Sequence, residues 1–192
     1  MFRIILLFSV LFLCITGYLL IPFSPPKAIN IFDAVEKADI DYIKQYIKDK
    51  KRLDEINYLG RPLLVHVAAY PGITVSQGKR ILRLLLDAGC DINMQSVDGK
   101  SPLLMAVKAE NHELAIYLLR RGANPNLEDE NGDTPLTCYY NNKNTIELIE
   151  KLIANNADIN HKNKDKINAI SLARYYNRKD IEDLLVKKVS LQ

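Results

Sequence analysis

The sequence predicts an all-α protein built from about five helix-turn-helix units. Short segments with apolar residues at helical spacing come in pairs, and neither helix of a pair is long enough to be stable alone in water. One phrase closes successive pairs and places Asn93, Asn126 and Asn160 at nearly equal intervals. The turn that opens a pair repeats at the same interval, from Pro102 to Pro135. Such a period is typical of solenoids, in which neighbouring units bury each other's apolar faces.

An uncharged apolar segment, from position 4 to position 21, precedes the repeats. We predict that residues 1–23 form an N-terminal hydrophobic helix, either a transmembrane anchor or a signal peptide, and that residues 24–29 are a Pro-rich spacer. The anchor is favoured because the cleavage site is poor, with bulky Ile15 two positions before Gly17. A lipid attachment or a buried helix are the further alternatives. We therefore expect single-pass membrane localisation, or a secreted or periplasmic protein after signal cleavage.

The repeat array is predicted over residues 30–189. Its units lie at about 30–57, 58–93, 94–126, 127–160 and 161–189. The first and last units carry many polar residues, as expected of terminal units that have a neighbour on one side only. Five units exceed the three that a stable solenoid needs.

The third unit shows the pattern most clearly. Ser101 and Pro102 mark the start of a first helix, predicted from 103 to 108. A second helix is predicted from 114 to 120. Gly122 follows it, where a left-handed residue costs little only for glycine.

The second unit is longer than the others, since Gly60 and Gly99 are further apart than the interval that separates Pro102 from Pro135. Its turn-forming residues, including Gly78, predict a loop over residues 70–79 and a second helix only from 81 to 88. An insertion of this kind maps to a loop on one face of a solenoid, sometimes the binding face. A tolerated surface insertion is an equally good interpretation.

The fourth unit departs from the pattern at two points. Tyr139 and Tyr140 stand where small residues are expected, so we expect them to swing outward or to push the neighbouring units apart. Asn155 and Asn156 replace the usual glycine at the end of the second helix, which asparagine tolerates in the left-handed conformation.

The sequence Asn131-Gly132-Asp133-Thr134-Pro135-Leu136, together with a period of about 33 residues, resembles the ankyrin repeat. The resemblance covers roughly residues 30 to 188. It implies an all-α ankyrin repeat solenoid with short hairpin tips between its units. It also implies a non-catalytic protein–protein interaction module whose partner is another folded protein, with no nucleic acid and no small-molecule substrate.

The remaining composition agrees with a protein that has no catalytic site. The net charge of +3 does not call for a nucleic-acid partner. The three histidines lie in different units, without cysteine or carboxylate at metal-ligand spacing, and the three cysteines form no disulfide framework. No phosphate-binding loop or nucleophile elbow occurs. We therefore expect no enzyme activity, no cofactor and no metal.

The expected contact surface consists of the hairpin tips and the outer side of the first helices. Candidate protein-binding residues are Tyr70, Met94, Gln95, Met105, Lys108, Glu128, Asp129, Asn141, Lys162, Lys164 and Tyr175. The tips change from neutral to acidic to basic along the array, which suits the orientation of a partner. The tyrosines are either interface anchors or packing residues between units.

Two other functions are compatible with the sequence. The first is an immunity-type inhibitor that neutralises a toxic enzyme by covering its active site. The second is an accessory factor for an envelope enzyme.

Overall fold

Short helices, paired in every unit except the fourth, form the framework of the part of the chain that the computed structural model describes, namely residues 30–49, 52–139 and 145–190. Within these ranges the only β feature is an isolated antiparallel bridge between Ile56 and Pro62. The helices are α1 (Ile31–Glu36), α2 (Ile40–Lys48), α3 (Leu63–Ala69), α4 (Val75–Asp87), α5 (Pro102–Lys108), α6 (His112–Arg120), α7 (Thr145–Ala154), α8 (Ala169–Tyr175) and α9 (Lys179–Val189).

The helices stack in two rows. The first helices of consecutive pairs pack on each other, α1 on α3 and α3 on α5, while the second helices do the same from α2 to α4, α6 and α7. Each unit therefore contacts mainly its neighbours in the chain, as in a solenoid. This arrangement confirms the predicted all-helical repeat fold.

Small and branched residues divide the core between them. Ala34, Ala68 and Ala106 are buried on first helices, where the absence of a larger side chain lets neighbouring helices approach closely. Leucines such as Leu85 and Leu118 fill the space between second helices. Burying one such leucine contributes about 2 kcal/mol, so the stack depends on these contacts rather than on the helical propensity of any one segment.

Capping side chains begin helices and left-handed residues end them, as the sequence predicts. The Ser101 hydroxyl accepts the amide of Leu104 at 3.1 Å and begins α5. Gly122 has a φ of 89° after α6, and Asn156 has a φ of 65° after α7. The prediction that asparagine takes the place of glycine there is confirmed, and so is the first-helix start in the third unit.

The insertion in the second unit is a loop over residues 70–74 and helix from Val75, so the prediction of a loop over residues 70–79 is right for its first half and wrong for residues 75–79. Helix α4 begins at Val75 and has 13 residues, against nine for α6. Thr74 caps it, accepting the amide of Gln77, whose side chain in turn accepts the amide of Thr74. This capping box stabilises a first turn that contains Gly78, and it outweighs the glycine's low helical propensity.

Of the two outcomes expected for the tyrosines of the fourth unit, an outward position is wrong for Tyr139, and no observation tests whether the neighbouring units are pushed apart. The Tyr139 side chain is only 1% exposed, and its hydroxyl donates to the carbonyl of Ala169 at 3.1 Å. Ala169 and Ala173 are small, and therefore leave room for the ring against the next unit. Residues 135–138 form a turn before it. Tyr140 lies outside the described residues.

The prediction of single-pass membrane localisation is contradicted by the lengths and compositions of the described helices. Across residues 30–49, 52–139 and 145–190, every helix is either too short or too polar to cross a bilayer. The longest, α4, has 13 residues and so measures about 20 Å, less than the bilayer core of about 30 Å. The hydrophobic helix at 1–23, the spacer at 24–29 and the idea of secretion after cleavage concern residues outside the described ranges.

Candidate protein-binding surface

Four turns of the same construction connect successive units. In each turn an amide donates to a carbonyl four residues later, from Asn57 to Arg61, Ser96 to Lys100, Asp129 to Asp133 and Asn163 to Ile167, each at 3.0 Å. The fourth residue of every turn is left-handed, with Gly60, Gly99 and Gly132 in the first three and Lys166 in the last. We call these turns, with the residue before each of the last three, the tip row: residues 57–61, 95–100, 128–133 and 162–167.

Side-chain oxygens hold each turn from within. Asp129 Oδ1 accepts the amides of Asn131 at 2.9 Å and Asp133 at 3.1 Å. The first residue of every other turn acts in a similar way: Asn57, Ser96 and Asn163 each accept at least one amide of their own turn. The polar residue at this position is therefore structural, because it replaces the strand partners that so short a hairpin lacks.

Neighbouring turns are joined to one another by backbone hydrogen bonds. The amide of Val97 donates to Gly60 at 3.1 Å, that of Glu130 to Asp98 at 3.1 Å, and that of Lys164 to Asn131 at 3.0 Å. A Cβ on Gly99 would lie 2.9 Å from Cα of Asp129, so adjacent backbones approach too closely for any larger residue. The tip row is consequently a continuous, ordered edge.

The first two turns expose large apolar side chains. Tyr58 is 94% exposed and Val97 is 77% exposed, with Leu59 exposed beside Tyr58. These residues belong to one patch, because the Val97 side chain lies over Gly60, directly after Leu59. We call Tyr58, Leu59 and Val97 the tip patch. None of these three residues is among the candidate binding residues predicted from the sequence.

Charged residues follow the tip patch along the same row. Glu128 and Glu130 are exposed at the third turn, and Lys162 and Lys164 are exposed at the fourth. Lys164 Nζ donates to the carbonyl of Glu130 at 2.5 Å, which holds the ammonium group between the two turns. The order along the row is therefore apolar, acidic and basic.

Two of the predicted binding residues are instead paired inside the fold. Lys108 Nζ lies 2.7 Å from the buried Asp129 carboxylate and 3.1 Å from that of Asp133. Burial opposes the charge on Lys108, but its hydrogen bonds to Asp129 and Asp133 outweigh that cost and raise its pKa above the usual value. Burial likewise opposes ionisation of Asp129, and the Lys108 hydrogen bond nevertheless keeps the pKa of that carboxyl low. This network joins the third unit to the turn of the fourth.

The other predicted residues lie in several places. Gln95 is exposed and donates to the carbonyl of Glu128 at 2.8 Å, while Met94 and Met105 are half-buried. Tyr70 is half-buried at the insertion, and Tyr175 is 81% exposed on α8. Asn141 lies outside the described residues. The structure thus brings together Gln95, Glu128 and the basic pair along the tip row, but neither tyrosine.

Two cysteines lie among the described residues. Burial raises the pKa of the Cys90 thiol to about 11, and it raises the pKa of the Cys138 thiol as well. Both are therefore protonated at neutral pH and are poor nucleophiles. Within the described ranges no group of three or more His, Cys, Asp or Glu side chains is arranged to hold a metal ion.

Comparison with known families and proteins identifies the repeats. Residues 65–140 match the model of ankyrin repeats in three copies, and residues 131–164 match that of the single ankyrin repeat. The predicted ankyrin resemblance is thereby confirmed for these residues.

Proteins with very different names are similar to parts of this chain. The chain is 42% identical over 69 residues to the ADP-ribosylation factor GTPase-activating protein AGD4 of Arabidopsis thaliana, which covers 36% of this chain and 8% of that protein. It is 33% identical over 115 residues to the putative ankyrin repeat protein FPV031 of fowlpox virus, covering 57% and 34% respectively. It is 26% identical over 173 residues to the phosphocholine transferase AnkX of Legionella pneumophila, covering 85% and 18% respectively. The chain thus spans only a minor part of the length of each of these relatives.

Proposed function

Because the chain is an ankyrin repeat protein, we propose that it is a non-catalytic protein-binding module whose partner contacts the tip row. Ankyrin repeats in general mediate protein–protein binding, and the family is in general non-catalytic. The enzymatic names among the relatives belong to much longer proteins, of which this chain matches 8% and 18%. What they do as enzymes is therefore no guide to this chain.

The tip patch is the observation that carries the proposal. A tyrosine that is 94% exposed beside exposed Leu59 and Val97 gains the free energy of burial only when another molecule covers it. Tyrosine is also among the residues most often found at the energetic centre of interfaces. The hydrogen bond between Val97 and Gly60 supports the patch from below, so that little ordering entropy is lost on binding.

The charges beyond the patch favour a protein partner over a nucleic acid. Glu128 and Glu130 lie between the patch and the basic pair Lys162 and Lys164, so a continuous run of phosphates would meet repulsion in the middle of the row. A protein surface with an apolar recess, then basic and then acidic residues, would match all three parts. Such an order sets the orientation of a partner more than its affinity.

The first experiment identifies the partner from the tip patch. A photo-crosslinking amino acid replaces Tyr58 in the full-length chain, expressed in its native cells, and crosslinked proteins are identified by mass spectrometry. The control carries the same amino acid in place of Arg83, which is exposed on α4. We expect one protein to be captured from position 58 and not from position 83.

The second experiment measures affinity with the purified partner. Tyr58→Ala should weaken binding about tenfold or more, as for an interface anchor, with an unchanged melting temperature because the side chain has few internal contacts. Arg83→Ala is the matched control and should bind as the wild type does. An affinity for Tyr58→Ala within about twofold of the wild type would contradict the proposal.

A further inference from the structure

A buried histidine connects the core of the second unit to the first turn of the tip row. His66 on α3 is only 6% exposed, and its Nδ1 lies 3.0 Å from Nδ2 of Asn57, the residue that begins this turn. The same turn carries Tyr58 and Leu59 of the tip patch. A change of charge at His66 would therefore reach the patch through one side chain.

The turn fixes which nitrogen of the ring carries the proton. Asn57 Oδ1 accepts the amides of Leu59 at 2.9 Å and Arg61 at 3.0 Å, so the Nδ2 end of the same amide group faces His66. Nδ2 can only donate, and the ring nitrogen that faces it must accept. His66 is therefore neutral in this arrangement, with its proton on Nε2.

Groups from three elements surround the ring. Glu36 of α1 lies 3.2 Å from Nε2 and would favour a charged ring, whereas Arg61 of the first turn would oppose it. Phe32 of α1 meets the ring edge-on, and Tyr70 at the end of α3 stacks on it. Helices α4 and α5 also pack on α3, but within the described residues neither supplies an ion pair to His66. A protonated ring would thus keep one carboxylate partner in the folded protein.

A second proton on the ring would break the match with the turn. It can bind only at Nδ1, where it would point at the Asn57 Nδ2 donor, and two buried donors that face each other cost free energy. The Asn57 side chain would then have to rotate or withdraw, and either movement takes Oδ1 away from the amides of Leu59 and Arg61. The turn would keep its backbone hydrogen bond from Asn57 to Arg61 and lose both bonds to the side chain.

We propose that His66 is a proton-sensitive switch of the tip patch: the neutral ring orders the first turn for binding, and the protonated ring releases it. Its effect on binding rests on the proposed function of the patch, whereas the release of the turn does not. By linkage, a partner that requires the ordered turn would make His66 harder to protonate. Histidine suits this role because its charge changes near physiological pH.

Spectra of the ¹⁵N-labelled full-length chain test the release of the turn without a partner. Imidazole and backbone amide resonances are followed by nuclear magnetic resonance from pH 7.5 to about 4.5, because burial lowers the pKa of His66. We expect the amides of Leu59 and Arg61 to shift with the same midpoint as the ring. Amides that do not follow this midpoint, or a ring that stays neutral throughout, would overturn the proposal.

The fourth turn is the reference in the same spectra. Asn163 Oδ1 accepts the amides of Asp165 at 3.1 Å and Ile167 at 2.9 Å, the same arrangement as in the first turn. Its Nδ2, however, donates to the Asp133 carboxylate at 2.7 Å rather than to a histidine. The amides of Asp165 and Ile167 should not follow the His66 midpoint. If they follow it as strongly as those of the first turn, the effect of acid is general and the switch is wrong.

Asn57→Asp separates the charge on the ring from the release of the turn. One carboxylate oxygen can accept the two turn amides while the other accepts Nδ1–H of the protonated ring. We expect His66 to titrate at a higher pH in this variant, and the amides of Leu59 and Arg61 to shift much less than in the wild type. Shifts as large as in the wild type would mean that the charge alone moves these resonances, and the proposal would fail.

Affinity for the partner captured through Tyr58 tests the consequence for binding. One pH unit below the His66 midpoint only about a tenth of the molecules keep the neutral ring, so wild-type affinity should fall about tenfold from its value at pH 7.5. His66→Gln cannot take up the proton and should bind equally well at both pH values. Wild-type affinity that is independent of pH, while Tyr58→Ala still weakens binding, would overturn the switch and leave the proposed function intact. No effect of Tyr58→Ala would instead remove the proposed function, and with it the effect of the switch on binding.

Discussion

Left-handed residues occupy equivalent points of the repeats, and they differ in how well they suit that conformation. At the turn between the first and second helix, Ala38 has a φ of 52°, Glu110 of 55° and Asn177 of 53°. Asparagine tolerates this region, whereas alanine and glutamate are strained there by about 1–2 kcal/mol. The strain persists because hydrogen bonds on both sides fix the turn, such as that from Asp39 to the carbonyl of Ala34 at 2.8 Å.

Ala38→Gly should therefore stabilise the protein. Relief of about 1–2 kcal/mol is partly offset by the greater entropy of glycine in the unfolded chain, about 0.5–1 kcal/mol, so a net gain of about 0.5–1 kcal/mol is expected. Urea denaturation of the two proteins measures this difference. A lower free energy of unfolding in Ala38→Gly would show that the turn is not strained at this position.

The buried side chain of His66 joins the first two units. Its Nδ1 lies 3.0 Å from Asn57 Nδ2, which donates to it, so the proton of the neutral ring is on Nε2. That atom lies 3.2 Å from the Glu36 carboxylate. Burial is the dominant influence and lowers the pKa of His66 below 6.5, while Glu36 opposes the shift and Arg61 adds to it.

This lowered pKa predicts a loss of stability on mild acidification. The unfolded chain takes up a proton at His66 near pH 6.5, whereas the folded protein resists it, so stability is full above that pH and falls as the pH decreases towards the folded pKa. Free energies of unfolding at pH 7.5 and 5.0 should differ more for the wild type than for His66→Gln. The carboxyls of Asp98 and Asp129 have pKa values lowered from 3.8 and titrate below this window. Equal pH dependence of the two proteins would contradict this role of His66.

Among the helices, α4 shows how local signals compete. Pro71, Gly72 and Gly78 indicate a loop, yet Thr74 and Gln77 form a capping box and begin the helix at Val75. Gly78 tolerates the helix and faces Leu114 of α6, where an added Cβ would lie 3.5 Å from a methyl group. The apolar residues that follow, Ile81 and Leu85, are buried and anchor the rest of α4. Capping and packing together outweigh one unfavourable residue.

Gly78→Ala should accordingly stabilise α4. Alanine is favoured over glycine in a helix interior by about 0.5–1 kcal/mol, and its methyl group would make an ordinary contact with Leu114. Gly122→Ala is the matched control: no atom lies within 4 Å of its added Cβ, and its φ of 89° should make the change destabilising by about 1 kcal/mol. Urea denaturation distinguishes the two. Destabilisation by Gly78→Ala would mean that residue 78 is not in a helix.

In the whole molecule, contacts of a few side chains couple the stability of each unit to that of the next. Lys108 connects the third unit to Asp129 and Asp133 of the next turn, and Tyr139 connects the fourth unit to Ala169 of the fifth. The Tyr139 ring also lies 6.4 Å from that of Tyr176. Because units in a solenoid contact only their neighbours, loss of one such contact should uncouple everything beyond it.

Tyr139→Ala should therefore uncouple α8 and α9 from the rest of the array. Removing a fully buried aromatic side chain costs about 3 kcal/mol, and the loss falls on the interface with the fifth unit. Compared with the wild type, hydrogen exchange in Tyr139→Ala should accelerate more for the amides of α8 and α9 than for those of α5 and α6. Tyr175→Ala, at a side chain 81% exposed, is the control and should alter stability by less than about 0.5 kcal/mol. Uniform acceleration along the chain would contradict local uncoupling.

The repeat fold could be predicted from the sequence because its signals are local and periodic. Turn glycines, a proline after a polar residue and paired apolar stripes each act within a short stretch of chain, and they recur in successive units. The tip row could be located in the same way, including the change from acidic Glu128 to basic Lys162 and Lys164. The tip patch was accessible in principle, since Tyr58 and Leu59 stand in the turn position of the second unit.

Contacts between units are what the tertiary structure alone decided. Lys108 and Asp129 are 21 residues apart in sequence, and only the stacking of adjacent units places them 2.7 Å from each other. Tyr139 is buried rather than exposed because Ala169, 30 residues later, leaves space for it and accepts its hydroxyl. A sequence pattern shows which face of a helix is apolar. Which polar or aromatic side chain finds a partner across that face depends on distances that arise only when the units are stacked.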